Sequence, residues 1–595
     1  MATPYMKKSC ARGGIRGSKQ WTSEATAYMF LARKSPSPIQ ATTPTHGNSI
    51  LLPWCMASRE ICELLEKGPL DAPITTESLK ELDLLLIKNN LNLRIDVHFD
   101  HDLHFMPISG RRGEEKRSEA RRYWRCLELE LQVYQHDALG NCESCSNSED
   151  CGSQTSVPRR LHTMFAQMKE LILLLVPDDD HEWVRNTLDV GLLVQEVQNG
   201  VLDVENLSLW LKALLTNHCA PIRDDWAEEM ASTITSAAKK GNMQYLVVGL
   251  EKLFSFLECM RLDVANHQIR TYRIPLIEDG VAFQIDYFEA RIAQGKLSVE
   301  GSRHWFAGLC EQYPRTVGRK VKGLHVLVHG LTELCTKRDT PLPITLKHDL
   351  SRLRQIQQEL QDIIHFRICE LLFDKIVRNL RQGNERPPNS ARLCPMRLMD
   401  LIEDERGGAE EASASHPWRD NADSIAVEIT QQAFRGVVAA HKDSSTATVI
   451  SPEVFRHVQR VLHDNFEAED AKHAQADSLT PQLERRVLEH ASRFDTMTPL
   501  EISEEQKRTY YHQARAAGGA AEHHHGRSLP QVDDIARRLA HISVIHWRVW
   551  RGLAYLDREF WIAQGVEFEK GFEEEEEDGD GEGEGEEDTT DMGEF

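Results

Sequence analysis

From residue 246 onward the apolar positions fall at Leu246, Leu250, Leu253, Leu257, Met260 and Val264. The steps of four and three set all six on one helical face, which needs a partner to cover it. A polar stripe takes over where the apolar one ends: Asp263, Asn266, Arg270 and Arg273 recur at three, four and three residues. Pro275 is expected to stop this helix, because proline has no N–H and clashes with the preceding turn. Upstream, Cys219-Ala220-Pro221-Ile222-Arg223-Asp224-Asp225 reads as the end of one helix and the start of the next. Proline sits early in the new helix and two carboxylates sit at its positive end.

Similar periodicity covers most of the chain, so the expected fold is all-α, a large multi-helix array or bundle. A first helix is predicted over 77–93, and a second over 114–134 with Tyr123, Leu127, Leu131 and Tyr134 on one side. After a loop at 140–158, helices are predicted at 159–176, 181–199, 203–218 and 222–239, ahead of the striped helix. Others follow at 279–294, 298–313, 318–336, 345–382, 422–441, 451–471, 480–495 and 529–563. Strand alternation is nearly absent, and no fixed period supports a solenoid of identical units. The expected organisation is a disordered basic lead-in (1–75), a helical segment (76–139), a loop (140–158) and a helical core (159–382). A flexible insertion rich in Pro, Gly, Ala and acid (383–421) should tolerate truncation, before a C-terminal helical part (422–570) and an acidic tail (571–595).

At 595 residues the chain is long enough for several cores, since single cores seldom grow past roughly 250 to 300 residues. The net charge of −23 is concentrated: fourteen acidic residues and no Lys or Arg lie between Glu573 and Glu594, and removing them leaves −9. The body is therefore no polyanion, and the tail speaks for solubility or a basic partner. General nucleic-acid binding, which needs clustered cations, is not expected. Thirteen scattered cysteines fit a reducing compartment. Apolar runs such as Leu171–Val176 are far short of the roughly 20 residues of a spanning helix. The first 58 residues hold one acid, Glu24, against Lys7, Lys8, Arg12, Arg16, Lys19, Arg33 and Lys34. That is the make-up of a mitochondrial presequence, but Gly13, Gly14 and Gly17 would interrupt an amphipathic helix. A disordered tail on a cytoplasmic or nuclear protein is the favoured expectation, with import the lesser alternative. Ser35-Pro36 and Ser37-Pro38 are candidate phosphorylation sites.

Two blocks of sequence carry a family resemblance. LLTNHCAPIRDDWAEEM (214–230), followed by LFSFLECMRLDVANHQIRTYRIPLIEDGVAFQIDYFEARI (253–292), resembles the core of the T-complex protein 11 family. HFDHDLHFMPISGRRGEEKR (98–117) resembles the block that precedes this core in the family's fungal branch, and the likeness runs discontinuously from about Asp96 to about Gln564. One departure is Arg273-Ile274-Pro275 where an Arg-Pro pair is expected, so local backbone geometry does not transfer directly. The fungal branch is tied to suppression of protein kinase A deficiency. The resemblance thus implies a non-enzymatic modulator of cyclic-AMP and protein kinase A signalling, with proteins of that pathway as partners and no cofactor.

Several clusters bear on chemistry. Within His98-Phe99-Asp100-His101-Asp102-Leu103-His104, the three imidazoles His98, His101 and His104 suit a metal hydrolase, which holds a Lewis acid and a water. No further ligands can be picked out, so an extended structural segment whose polar groups cap helices is favoured, with the hydrolase as the alternative. Cys142-x-x-Cys145 with Cys151 and Cys126 would make a thiolate zinc knot, but the second Cys-x-x-Cys is missing and free thiols in an exposed loop are favoured. His523-His524-His525 reads as a solvated tract. Arg111, Arg112, Lys116 and Arg117 form a basic patch able to hold a phosphate, although Glu114 and Glu115 offset the charge and no P-loop is present; a protein-binding edge is the better functional reading.

The polar stripe supplies the remaining binding candidates, Arg223, Asp224, Asp263, Asn266, Arg270 and Arg273. A buried link from Arg223 to Asp263 is feasible, serving either helix register or recognition of a partner segment. No Gly-x-Ser-x-Gly, His-Glu-x-x-His, kinase signature or dinucleotide fingerprint is present. Amphipathic helices with charged tails suit a scaffold that docks helices or disordered segments.

Overall fold

The computed structural model describes residues 49–140, 145, 156–313, 322–336, 342–380, 392–403, 417–438, 452–518 and 529–556. The basic N-terminal 48 residues, Cys142, Cys151, the histidine tract and the acidic tail lie outside the described residues. What is described is almost entirely helical, with one two-stranded antiparallel pair, β1 (Ser49–Leu51) and β2 (Ser156–Pro158), registering Ile50 opposite Val157. The chain forms two compact units, Met1–Gly280 and Val281–Phe595, a division that falls inside the 159–382 segment read from sequence as one core. Among the described residues no helix is long and apolar enough to cross a membrane.

The first unit contains α1 (Arg59–Lys67), α2 (Leu84–Lys88), α3 (Leu91–Phe99), α4 (Gly110–Leu139), α5 (Leu161–Leu175), α6 (Asp178–Thr187), α7 (Val190–Gln198), α8 (Val204–His218), α9 (Asp224–Lys240) and α10 (Met243–Glu278). Helices α8, α9 and α10 pack in sequence. Gly249 of α10 lets α9 approach closely, since a Cβ there would overlap the Ile234 side chain. Helix α10 buries more than the predicted stripe. Leu253, Leu257 and Met260 are buried as expected, but so are Val247, Phe254, Phe256, Leu262, Ala265 and Ile269. Leu246 and Leu250 are only half-buried and Val264 is exposed. A helix apolar on so wide an arc is covered from several sides, and each fully buried Leu or Phe contributes about 1.5–3 kcal/mol.

The structure corrects several expectations in this unit. Pro275 does not end α10, which runs on to Glu278. The missing hydrogen bond falls in the last turns of the helix, where the burial of Leu276 and Ile277 offsets it. The 77–93 helix breaks into a 3-10 turn, α2 and the start of α3, because Asn90 accepts from the Leu93 N–H and restarts the helix. Asp189 likewise caps Leu192 and divides 181–199 into α6 and α7. Residues 49–75 are not part of a loose lead-in: Leu52 and Leu65 are buried. The cause is Arg160, itself fully buried, which donates to the carbonyls of Leu65 at 2.6 Å, Pro69 at 2.7 Å and Gly68 at 3.2 Å. Its backbone N–H donates to Glu130, which is also buried and accepts from Leu161 N–H and Tyr134 OH. Burial pushes the Glu130 carboxyl upward, against these bonds.

The second unit contains α11 (Gly280–Ala293, its first residue in the preceding unit), α12 (Glu300–Gln312), α13 (Gly323–Thr336), α14 (Leu350–Leu380), α15 (Pro395–Glu403), α16 (Pro417–Asp420), α17 (Ala422–Val438), α18 (Pro452–Glu467), α19 (Glu469–Phe494), α20 (Pro499–Gly518) and α21 (Val532–Trp550), closed by a π-helical turn, Arg551–Tyr555. Helix α21 is buried nearly all round, through Ile535, Leu539, Ile542, Ile545, Trp547 and Trp550, and packs on α19 and α13. Within the span expected to be a dispensable insertion, α15 buries Leu398, Met399 and Ile402. There, too, Trp418 of α16 is buried and donates its indole N–H to Asp362 at 2.8 Å. The predicted break before residue 480 is absent. Pro481 lies inside α19 on its exposed side, where water can serve the carbonyl that proline leaves without an N–H. Helix α20 was not anticipated, because its buried positions include the polar Ser503 and Gln506.

Candidate functional site

Three polar side chains along α10, Arg261, Asn266 and Arg273, hold the chain's own segment 83–105. Arg261 pairs with Asp83. Asn266 accepts from the Phe105 N–H at 2.6 Å and donates to the Phe105 carbonyl at 3.0 Å. Arg273 donates to the carbonyls of Val97 at 2.8 Å and Asp100 at 2.9 Å. Arg94 returns the contact, donating to the Leu276 carbonyl at 3.4 Å, and Lys88 sits 4.0 Å above the Tyr272 ring. The two sequence blocks that carry the family likeness are thus folded on one another. Arg273 serves carbonyls at the C-terminal end of α3, which have no partner within the helix, and Asn266 holds Phe105 in the segment that follows.

Arg223 makes the predicted bridge. Its guanidinium grips both carboxylate oxygens of Asp263, with Nη2 to Oδ1 at 2.8 Å. This bidentate geometry is the strong form of the ion pair, and the hydrogen bonds to Asp263 raise the Arg223 pKa further. The pair is not buried: 19% of the Arg223 side chain and 37% of Asp263 are exposed. Arg223 also lies 5.4 Å from the centre of the Trp226 ring. Trp226 is half exposed and Ile222 is 85% exposed, so an apolar patch flanks the ion pair. Asp224 and Arg270 are exposed and stand apart from the bridge; Asp224 accepts from Cys219 Sγ at 3.6 Å, and Arg270 donates to the Asn266 carbonyl of its own helix.

The histidine block does not assemble as a metal hydrolase. His98 is fully buried in the last turn of α3, against Gly280, where a Cβ would overlap its imidazole. Among the described residues, the trio His98, His101 and His104 is not brought together. Burial raises the nearby Asp100 carboxyl, and the hydrogen bond from Asp102 N–H only partly opposes this. In the basic patch, Arg111 pairs with Glu115 at 3.2 Å, Arg117 with Glu114, and Lys116 reaches across to Glu258 of α10 at 2.8 Å. Arg112 is exposed. The acids of the same helix do offset the cations, as the sequence suggested.

Two constellations were invisible in the sequence. One is buried in the second unit: Asp349 with His546 at 3.5 Å, His546 Nε2 with the Tyr555 hydroxyl at 3.0 Å, and that hydroxyl with Thr345 at 2.8 Å, next to Ser302. Burial alone would raise Asp349, but Arg352 and His546 outweigh it and hold its pKa at about 2. Tyr555, Thr345 and Ser302 are all at most 2% exposed, so these hydroxyls fix helix register and do not meet a substrate. The other brings Cys55, His136 and Cys145 together from three separate elements. Cys126, the other thiol considered for a zinc knot, is instead buried and donates to the Leu64 carbonyl at 3.4 Å.

Comparison with known proteins bears on all of this. The T-complex protein 11 family profile matches residues 93–559. Protein SOK1 of Saccharomyces cerevisiae is 31% identical over 375 residues, covering 60% of this chain and 39% of the yeast protein. T-complex protein 11 of Mus musculus is 25% identical over 152 residues, a quarter of each chain. T-complex protein 11 homolog of Homo sapiens is 23% identical over 217 residues, 36% of each. The chain therefore spans well under half the length of the curated relatives it matches. No solved structure matches it. The family profile covers most of the chain, and within it lie both α10 and the 97–105 segment clasped to it: the protein belongs to the T-complex protein 11 family.

Proposed function

We propose that this protein is a non-enzymatic helical regulator that modulates cyclic-AMP and protein kinase A signalling through protein contacts. Membership of the T-complex protein 11 family and the similarity to yeast SOK1 support the regulatory reading. The pathway follows from the resemblance to the family's fungal branch. The observation that carries the mode of action is the surface at the α9 start, where the Arg223–Asp263 pair is flanked by exposed Ile222 and Trp226. Arginine and tryptophan are residue types that dominate the binding energy of protein interfaces, and an apolar group left as exposed as Ile222 suits a docking anchor beside them.

The test is direct binding of the full chain to purified regulatory and catalytic subunits of protein kinase A, with kinase activity read in parallel. Binding, or altered activity, that falls at least tenfold in the Ile222→Ser/Trp226→Ser double variant supports the reading. No interaction with either subunit and no effect on the kinase removes the pathway assignment.

A further inference from the structure

Cys55 lies 81 residues before His136 and 90 before Cys145, yet their Sγ, imidazole nitrogen and Sγ atoms all lie within 4.8 Å of one another. Three independent features deliver them. The β1–β2 pair and the 3-10 turn Trp54–Met56 that follows it present Cys55. His136 sits in the last turn of α4, before Gly140 takes the left-handed conformation that ends the helix. Cys145 follows five residues later, its Sγ 3.6 Å from His136 Nε2. Cys55 is exposed, while His136 and Cys145 are half-buried.

The Cys145 Sγ–His136 Nε2 separation is that of two ligands around a tetrahedral ion. With Zn–S near 2.3 Å, Zn–N near 2.05 Å and a tetrahedral angle, the sulfur and nitrogen sit about 3.6 Å apart, which is the separation seen. The outer contact fits too. Asp137 Oδ1 lies 3.2 Å from His136 Nδ1, the arrangement in which Nδ1–H donates to a carboxylate and the Nε2 lone pair turns toward the metal. The carbonyl end of α4 adds a favourable field for a cation. The ten cysteines among the described residues form no disulfide with one another.

We propose that Cys55, His136 and Cys145 form a zinc-binding site that staples the strand pair and the 3-10 turn to the end of α4. Two thiolates and an imidazole select a borderline-soft divalent ion over magnesium or calcium. Among the described residues no fourth ligand joins the three. Binding exchanges aqua ligands of the zinc ion for two Zn–S bonds and one Zn–N bond, releasing water and one proton from each thiol to the solvent. Joining the turn after β1 to the end of α4 makes this a structural clip, and it is independent of the partner surface on α9.

The experiment is zinc titration of the metal-stripped full-length protein, with cobalt(II) as the spectroscopic probe. The expected result is one zinc per chain, a thiolate-to-cobalt charge-transfer band, and protection of Cys55 and Cys145 from alkylation as mapped by peptide mass. Cys55→Ser, His136→Ala and Cys145→Ser should each weaken binding at least tenfold, and Cys259→Ser should not. The wild-type cobalt spectrum and the alkylation map do not depend on the variants folding. Absence of stoichiometric zinc in the wild type, or a triple variant that binds as tightly, overturns the proposal.

Discussion

Asn266 holds Phe105 by both of its main-chain polar groups, so one amide side chain on α10 closes a connection between residues 161 apart in sequence. Asparagine suits this role because it alone among the short polar side chains offers a donor and an acceptor on one planar head. Asn266→Ala leaves the partly buried Phe105 N–H and carbonyl without these partners and should destabilise the first unit by about 1–3 kcal/mol. Asn266→Asp keeps the acceptor, loses the donor and sets a carboxylate against a carbonyl, so it should be no better. Urea midpoints, with amide exchange at Phe105, measure the effect; a wild-type midpoint and a still-protected Phe105 amide would show that the clasp is incidental.

The Arg223–Asp263 pair should contribute modestly despite its geometry, because more than a third of Asp263 is exposed and solvent screens it. A double-mutant cycle with Arg223→Ala and Asp263→Ala should give a coupling of about 1 kcal/mol or less at physiological ionic strength, falling as salt is raised. Coupling several times larger and indifferent to salt would place the pair in a far drier setting than the one observed.

Gly280 is required by the imidazole packed against it. Gly280→Ala should cost about 1–3 kcal/mol, the usual penalty of forcing an extra methyl into a close-packed site. His98→Ala removes the obstacle, so the double variant should lose less than the sum of the two single losses. Strict additivity in thermal melts would mean that the two groups do not meet in solution.

Acid should loosen the second unit through Asp349. Its folded-state pKa of about 2 lies below the unfolded value of about 3.9. The carboxylate therefore adds stability that is fully present above about pH 4 and is lost as pH falls toward 2. Wild type and Asp349→Asn should differ most at pH 5 and converge near pH 2 in denaturant titrations. A gap that stays constant across that range would show that Asp349 is not the titrating group.

Removing residues 383–421 should unfold part of the second unit, contrary to the tolerance that composition suggests. Trp418 fills a buried slot, stacks on His365 with ring centroids 5.5 Å apart and donates to the buried Asp362. Trp418→Ala alone should cost about 3–5 kcal/mol. A deletion variant with a wild-type melt would return this span to the status of a dispensable loop.

What the sequence revealed and what it hid follow from one distinction. Periodic apolar residues announced α10 and most other helices, because that pattern depends on local helical geometry, and the placing of Arg223 on the preceding helix pair made a link to Asp263 feasible, though the pair is partly exposed and not buried. Pro275 misled for the complementary reason: the rule that proline breaks a helix is local, whereas buried Leu276 and Ile277 after it make the continued helix worthwhile. Arg160 gives no periodic signal at all. Its carbonyl partners at 65, 68 and 69 are brought to it by tertiary packing, and so the order of residues 49–75 was unreadable. The same holds for Cys55, His136 and Cys145, which match no ligand spacing. The family likeness marked residues 98–117 and 253–292 as important without saying that the first lies along the second.

That last relationship has a temporal side. Ribosomes release the arm around Phe105 long before Asn266 exists, and at about 5–20 residues per second the delay is roughly 8 to 30 seconds. Throughout that interval Leu103 and Phe105, both buried in the finished protein, have no α10 to lie against. The nascent chain must be shielded by another contact or by a chaperone until its own later half arrives, which makes the speed of translation between the two blocks a determinant of yield.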